Sequence, residues 1–312
     1  VAWDSTGRDV YAPIVASGVL RRLNQGSAPL RSALSSGILE LGSSLVGYWP
    51  CEDAVSSTRI APGKGGMIGQ VTSDVTLAGE TGFACSAPIP TLGTGRIFLA
   101  LPGYTTTGVA QVRWIGRIPS TTPNGAIIAS VTTTGSAGRW DVVYTTGGGL
   151  TVYGYSSLGV LGLTLGPTAF AVDDRFARFS LELSESAGDV AVTFAVLYVG
   201  DTTSYTASGT YSSKTINGAS TITLNPGRAA LATLSVGHVT VETTVTAIND
   251  LVSELNAYAR ELALDRAERI LAPTSISLPS GSFLLRGVDA TTEPEMMGAQ
   301  PNATAMAVLA EV

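Results

Sequence analysis

Several sets of side chains carry the types and spacings that chemistry could use. Glu52 and Asp53 are adjacent carboxylates in SSLVGYWPCEDAVSS (43–57). Paired carboxyls serve glycoside hydrolysis when held roughly 5–10 Å apart, and oxygen-rich loops serve calcium. On a first strand, Tyr48 and Pro50 point one way while Trp49 and Cys51 point the other. Glu52 and Asp53 then diverge into a solvated turn, and no D-x-[DN]-x-[DN]-G loop accompanies them. Calcium is the one cofactor this pair could serve; no other cofactor is expected. Glu182 and Glu185 in SLELSES sit at an odd spacing that sends them to opposite strand faces. Asp173 and Asp174 are neighbours that also diverge. The local signature of a hydrolytic carboxylate pair is therefore absent.

His238 is the only histidine, so a Ser-His-Asp or Cys-His relay would have to use it. In VGHVTV it shares a face with Val236 and Thr240, and it reads as a structural histidine on a half-buried strand. One histidine with two distant cysteines, Cys51 and Cys85, cannot build a zinc site of the usual spacing. The cysteines read as buried free thiols rather than a bridge. PGKGGMIG (62–69) has Gly65, not Ser or Thr, after Lys64, so it fails as a phosphate loop and reads as a flexible surface loop. Asn302-Ala303-Thr304 has the form of a glycosylation sequon, but a helix cap explains it. No catalytic residue and no metal ligand is expected. The remaining chemistry is aromatic: Tyr104, Tyr153, Tyr155 and Tyr211, if exposed, offer flat rings on which a sugar can stack.

The elements that must position these residues follow from composition and pattern. Charged residues make up 13% of the 312 residues, about half the usual ~25%. Glycine is abundant and the net charge is −6 with scattered basic residues. A phosphate-tracking surface, and with it nucleic-acid binding, is excluded on these grounds. The longest apolar stretch, 157–172, is broken by Gly159, Gly162, Gly166 and Pro167, so no membrane span is expected. The chain starts at Val1 without Met and ends within an expected helix, which suggests an excerpt or a processed piece.

Residues 1–42 read as a strand, a short helix and a capped helix over SAPLRSALSSGILELG. Ser27 would cap it, Pro29 would occupy its first turn, and Gly42 would end it. Residues 43–247 alternate apolar and polar positions between Gly, Asn, Asp and Ser clusters. Good strands are 96–102, 110–118, 126–133, 139–146, 150–156, 175–184, 189–200 and 232–241. So many strands suggest a two-sheet sandwich or jelly roll, with Trp114, Phe176, Phe179, Phe194 and Tyr198 in its core. Residues 248–312 open on a long amphipathic helix, NDLVSELNAYARELALDRAERILAP. Asn249 or Asp250 would cap it, Asp265 and Arg269 would pair, and Pro273 would stop it. A hairpin and a final helix capped by Asn302 or Thr304 would follow. Helix-rich flanks around an all-β middle are the pattern of one domain inserted in another.

The stretch ASGVLRRLNQGSAPLRSALSSGILELGSSLVGYWPCED (16–53) closely resembles minor tail proteins of tailed phages that infect actinobacteria. In that family a GILRRL…QG…PLRSAL segment leads into YWPLED, which opens a laminin-G-like, concanavalin-type jelly roll. Cys51 stands here where the family has Leu. SVGHVTV (235–241), YARELALDRAERI (258–270) and MMGAQPNATAMAVLAEV (296–312) resemble its closing strand, the helix after it, and the element that resumes the tail-hub part. The resemblance implies a virion component near the distal tail tip. It implies that 1–42 and 248–312 are two pieces of a hub-type domain, and 43–247 the jelly roll between them. Its partners would be other tail-tip proteins and copies of itself, most simply as a trimer. Arg21, Arg22 and Arg31 would then form salt bridges to neighbouring subunits. Three functions compete: a structural tail component, a host-surface or glycan-binding module, and a cell-wall glycan-degrading enzyme. The first two are compatible; the third lacks its carboxylate pair.

Overall fold

Alternating apolar and polar residues commit most of the chain to strands, because a strand turns successive side chains to opposite faces. The computed structural model describes residues 31–261, 265–266, 269–270 and 298–300. One unit comprises 31–259, and a second is drawn from 1–30 and 260–312. The first unit begins with helix α1 (Ala33–Leu39). Strands β1 (Leu45–Trp49), β2 (Arg59–Ile60), β3 (Lys64–Gly65), β4 (Gly69–Val71), β5 (Thr76–Glu80) and β6 (Ile89–Gly93) follow. Next come β7 (Ile97–Ala100), β8 (Val109–Arg117), β9 (Ile127–Thr133), β10 (Ala137–Thr145), β11 (Gly149–Ser156) and β12 (Leu161–Leu165). The unit closes with β13 (Phe176–Ser186), β14 (Asp189–Tyr198), β15 (Tyr205–Tyr211), β16 (Ala219–Leu224), β17 (Leu231–Glu242) and helix α2 (Val252–Leu255).

The strands form a mainly β, two-sheet antiparallel sandwich of the jelly-roll type. The first sheet runs β15-β14-β13-β8-β17-β1-β3, with β6 joining β17 and β5 joining β6. The second runs β12-β11-β10-β9-β16-β7-β4-β2. Between them lie Trp49, Trp114, Trp140, Phe179, Phe194, Val131 and Ile222, all buried. Trp114 stacks on Phe179 with ring centroids 5.5 Å apart. The Trp49 indole donates to the carbonyl of Met67 at 2.7 Å, so its one polar atom is satisfied.

The two outer faces of the sandwich differ. On the first sheet a second apolar cluster gathers Leu34 and Ile38 of α1, Tyr48, Phe83, Ile115, Leu197, Ile248 and Leu255. Helix α1 is capped by Ser32, whose side chain accepts from the Ser35 amide. A Cβ built on Gly37 would lie 2.6 Å from Cγ of Glu254, so α1 and α2 meet at a glycine. Beside this cluster lies a polar layer of Gln111, Arg113, Arg178, Ser180, Thr240 and Glu242, each no more than 2% exposed. Gln111 bonds both the amide and the carbonyl of Thr246, and Arg178 donates to the carbonyls of Ile248 and Asp250. The chain after β17 is thereby tied across the sheet. No such layer covers the outer face of the second sheet among the described residues.

Several expectations change. The helix expected over 27–42 starts at Ala33 with Ser32 as its cap; Ser27 and Pro29 lie outside the described residues. The long helix expected from 249 is interrupted: α2 spans only Val252–Leu255, Leu251 precedes it without a side-chain cap, and the described residues 265–266 and 269–270 are helical again. Ala257, Tyr258 and Arg260 have positive φ, which ends the helix. Burial of Leu255 and Ala257 decides this against local propensity. Residues 62–69 are not a loose loop. They supply β3, which pairs with β1, and Gly66 is pressed so close to Trp49 that a Cβ would lie 2.6 Å from its ring. Phe176 packs with Phe83 on the outer cluster instead of between the sheets. In the second unit Glu261 bridges Arg266 and Arg269, and Arg269 also donates to Gln300. The expected elements in 1–30, 273–297 and 302–312, with Arg21, Arg22 and the Asn302 cap, lie outside the described residues.

Candidate functional site

The outer face of the second sheet, uncovered among the described residues, carries a continuous cross-strand row. From β12 to β2 it reads Thr164, Tyr153, Asp141, Ser130, Thr223, Phe98, Gln70 and Arg59. A neighbouring row reads Tyr155, Arg139, Thr132, Thr221 and Ala100. Strands lie about 4.8 Å apart, so the longer row spans roughly 30 Å, the length of several sugar rings. The residues between these positions, Trp140, Val142, Val131 and Ile222, point inward to the core.

The first end of the rows is the most ordered. Tyr153 and Tyr155 are two apart on β11, so their rings share this face, and both are half-buried. The Arg139 guanidinium lies over the Tyr155 ring, 4.1 Å from its centroid. Its Nε stands 3.2 Å from a carboxylate oxygen of Asp141. The other oxygen of Asp141 accepts from the Ser130 hydroxyl at 2.6 Å, and Asp141 is 2% exposed. Flat rings, a fixed cation and a run of hydroxyls make a surface suited to a polar, ring-shaped ligand.

The expected aromatic platforms therefore separate. Tyr153 and Tyr155 come together here. Tyr104 is half-buried on the loop after β7, and its hydroxyl donates to the carbonyl of Ala219 at 2.8 Å. Tyr211 is 6% exposed and packs nearly perpendicular to the Trp140 ring, so it is a packing residue and not an exposed platform. Arg139, Asp141 and Ser130 were not anticipated. Their signal is RWDVVY, where Arg139 and Asp141 alternate with Trp140 and Val142.

Glu52 and His238 meet in a buried knot. The Tyr48 hydroxyl and Nδ1 of His238 are hydrogen-bonded at 2.9 Å, and Nε2 faces the Ser86 hydroxyl at 2.8 Å and the Glu52 carboxylate at 3.2 Å. A carboxylate only accepts, so the pattern places a proton on Nε2. The nitrogen facing Ser86 is thus a donor and cannot act as a base on that hydroxyl. Glu52 also accepts from the Ala87 amide at 2.8 Å. Desolvation pushes its carboxyl up, but hydrogen bonding and charge from His238, with donors at Ser32 and Ala87, outweigh this and lower it to about 2. Glu52 is therefore no solvated turn residue. His238 is 1% exposed, and its strand position differs from expectation. The register shifts between Gly237 and Thr240, and His238 takes a φ of 48°. This bulge turns His238 away from Val236 and Val239, which face the core.

The remaining acids are engaged separately. Asp53 accepts from the Ala61 amide, Glu182 from Gln111 and Ser180, and Glu185 from the amides of Ile216 and Asn217. Asp173 accepts from Tyr144, and Asp174 from Ser120 and Arg117. Among the described residues no three His, Cys, Asp or Glu side chains are grouped to hold a metal ion. Cys51 and Cys85 are free and buried, and burial raises both thiols, Cys85 to about 12. A groove of about 540 Å³ beside β4 and β5 is lined largely by hydroxyls, among them Ser56, Ser57, Thr58 and Thr72, and holds no titratable side chain. Among the described residues no helix is long and apolar enough to cross a membrane.

The chain matches no protein-family model and no curated protein. Among solved structures it is similar to a botulinum neurotoxin serotype D binding domain, at 9% identity and a TM-score of 0.46 over 68% of this chain and 51% of that one. It is similar to the binding domain of Paraclostridial Mosquitocidal Protein 1, at 13% identity and a TM-score of 0.46 over 70% and 54%. It is also similar to domain 4 of AbnA, a GH43 extracellular arabinanase from Geobacillus stearothermophilus, in complex with arabinotriose. That match has 12% identity and a TM-score of 0.44 over 68% and 98%. The chain spans about half the length of the two toxin binding domains.

Proposed function

We propose that this chain is a structural component of a bacteriophage tail tip whose jelly roll projects as a host-surface, glycan-binding module. The observation that carries this reading is the asymmetry of the sandwich. The chain enters through α1 and leaves through α2, and the two pack side by side against one sheet. Among the described residues no helix packs on the opposite sheet, whose outer face carries Tyr153, Tyr155 and Arg139. The adjacency of entrance and exit supports reading 43–247 as an insertion between 1–42 and 248–312, two parts of one hub-type host domain, with 31–42 and 248–259 packed on the sandwich as its two connections. The sequence resemblance to minor tail proteins supports the distal tail as its place, with tail-tip proteins and further copies, as a trimer, as its partners.

The test is binding of the full chain to purified actinobacterial cell-wall polysaccharide, compared with the Tyr153→Ala/Tyr155→Ala variant. Stacking contributes on the order of 1 kcal/mol per ring, so the double change is expected to weaken binding at least tenfold while the melting temperature holds. Absence of binding to every cell-wall fraction would refute the adhesive reading. Antibody labelling of virions that missed the tail tip would refute the structural one.

A further inference from the structure

We infer that the ligand of the bare face carries an anionic group, a carboxylate or a phosphodiester, seated on Arg139. This rests on the glycan-binding reading above and adds the chemical class. Arg139 differs from the other paired arginines of the sandwich. Arg113, Arg117, Arg175 and Arg228 each direct a terminal nitrogen at their carboxylate. Arg139 meets Asp141 through Nε. Its two terminal nitrogens meet no acceptor among the described residues, and its side chain is 48% exposed. The guanidinium is nevertheless held, by the Tyr155 ring beneath it and by Asp141, which Ser130 fixes in turn. An arginine normally loses considerable rotamer freedom when it engages a ligand; here the fold has already removed it. The free edge of the fork matches a pair of oxygens on one acidic group. Thr132, directly across from Arg139 and exposed, adds a hydroxyl beside it. The chain as a whole is acidic, with a net charge of −6, so a fixed cation on this face is a local feature and not part of a basic surface.

The experiment uses the full chain and one cell-wall polysaccharide in three forms: native, carboxyl-reduced and dephosphorylated. The native polymer is expected to bind, and one of the two treated forms to bind at least tenfold more weakly; which one fails identifies the acidic group. Arg139→Gln should reproduce that loss on the native polymer, and Arg139→Lys should recover only part of the affinity, because an ammonium lacks the fork. Arg139→Gln/Asp141→Asn leaves no unpaired buried charge and should show the same loss if the first variant is unstable. Equal binding of all three polymers, or an Arg139→Gln/Asp141→Asn variant that binds as the parent does, overturns the inference. If that happens while the tyrosine variant still loses binding, the glycan-binding reading stands without it. If the native polymer does not bind, the reading itself fails.

Discussion

The hydroxyl of Tyr48 and Nδ1 of His238 share a hydrogen bond of 2.9 Å, joining residues 190 positions apart. The bond links β1 to the bulge of β17, beneath α1. Tyr48→Phe leaves Nδ1 buried without its partner, which costs about 1–3 kcal/mol. A fall in melting temperature of roughly 2–4 °C per kcal/mol is expected for a unit of this size. A Tyr48→Phe chain as stable as the parent would show that the bond contributes nothing.

Glu52 gives the fold a defined acid limb. Its folded value of about 2 lies below the ~4.3 of an unfolded glutamate. Its contribution is therefore complete above about pH 5 and is lost as pH falls through 4 toward 2, to the extent of about 3 kcal/mol. Glu52→Gln should be less stable than the parent at pH 7 and should lose less between pH 5 and pH 3. Urea midpoints across that range check this; parallel acid limbs would remove Glu52 as the cause.

Arg113 and Glu242 are 1% and 0% exposed and paired, with Nε of Arg113 at 2.8 Å from the carboxylate. Glu242→Gln strands a buried guanidinium and should cost about 3–5 kcal/mol. Arg113→Met/Glu242→Leu removes both charges and should cost much less than the single change. Denaturant unfolding of the three chains measures this, and additive costs would contradict it.

Gly37 sets the distance between α1 and α2. Ala is favoured over Gly in a helix by about 1 kcal/mol, but a Cβ here meets Cγ of Glu254 and, at 3.1 Å, Cδ2 of Leu251. The Glu254 side chain can swing aside, so Gly37→Ala should be close to neutral. Gly37→Leu should push α2 off α1. Faster hydrogen exchange confined to 252–258, with β10 and β11 unchanged, is the expected signature.

Burial and raised thiol pKa values make Cys51 and Cys85 unreactive. Thiol titration at pH 8 should find almost no reaction in the folded chain and both thiols after unfolding. Rapid reaction of either in the native state would contradict the packing around Trp49 and Phe83.

Much of the sandwich was legible because its longer strands carry their own period. β8, β10, β13 and β14 alternate cleanly, and their bounds follow from the pattern. The two-residue strands β2 and β3 have no period to read. Gln111, Arg113 and Glu242 alternate as a solvent face should, yet they are buried, because 243–258 crosses over them; sequence spacing carries no sign of that crossing. At His238 a single inserted residue reverses which face a side chain takes. In the candidate site the same-face placement of Tyr153 with Tyr155, and of Arg139 with Asp141, follows from spacing alone. That β10 lies beside β11 and β9, bringing Ser130 to Asp141, depends on pairing.

The pairing of β1 with β17 also sets an order of events during synthesis. The first strand emerges nearly two hundred residues before the partner that completes its sheet, and such distant closures slow folding. The hairpins β10–β11 and β13–β14 can form as they leave the ribosome, while Trp49 must wait, half-sheltered, for the last strand to arrive.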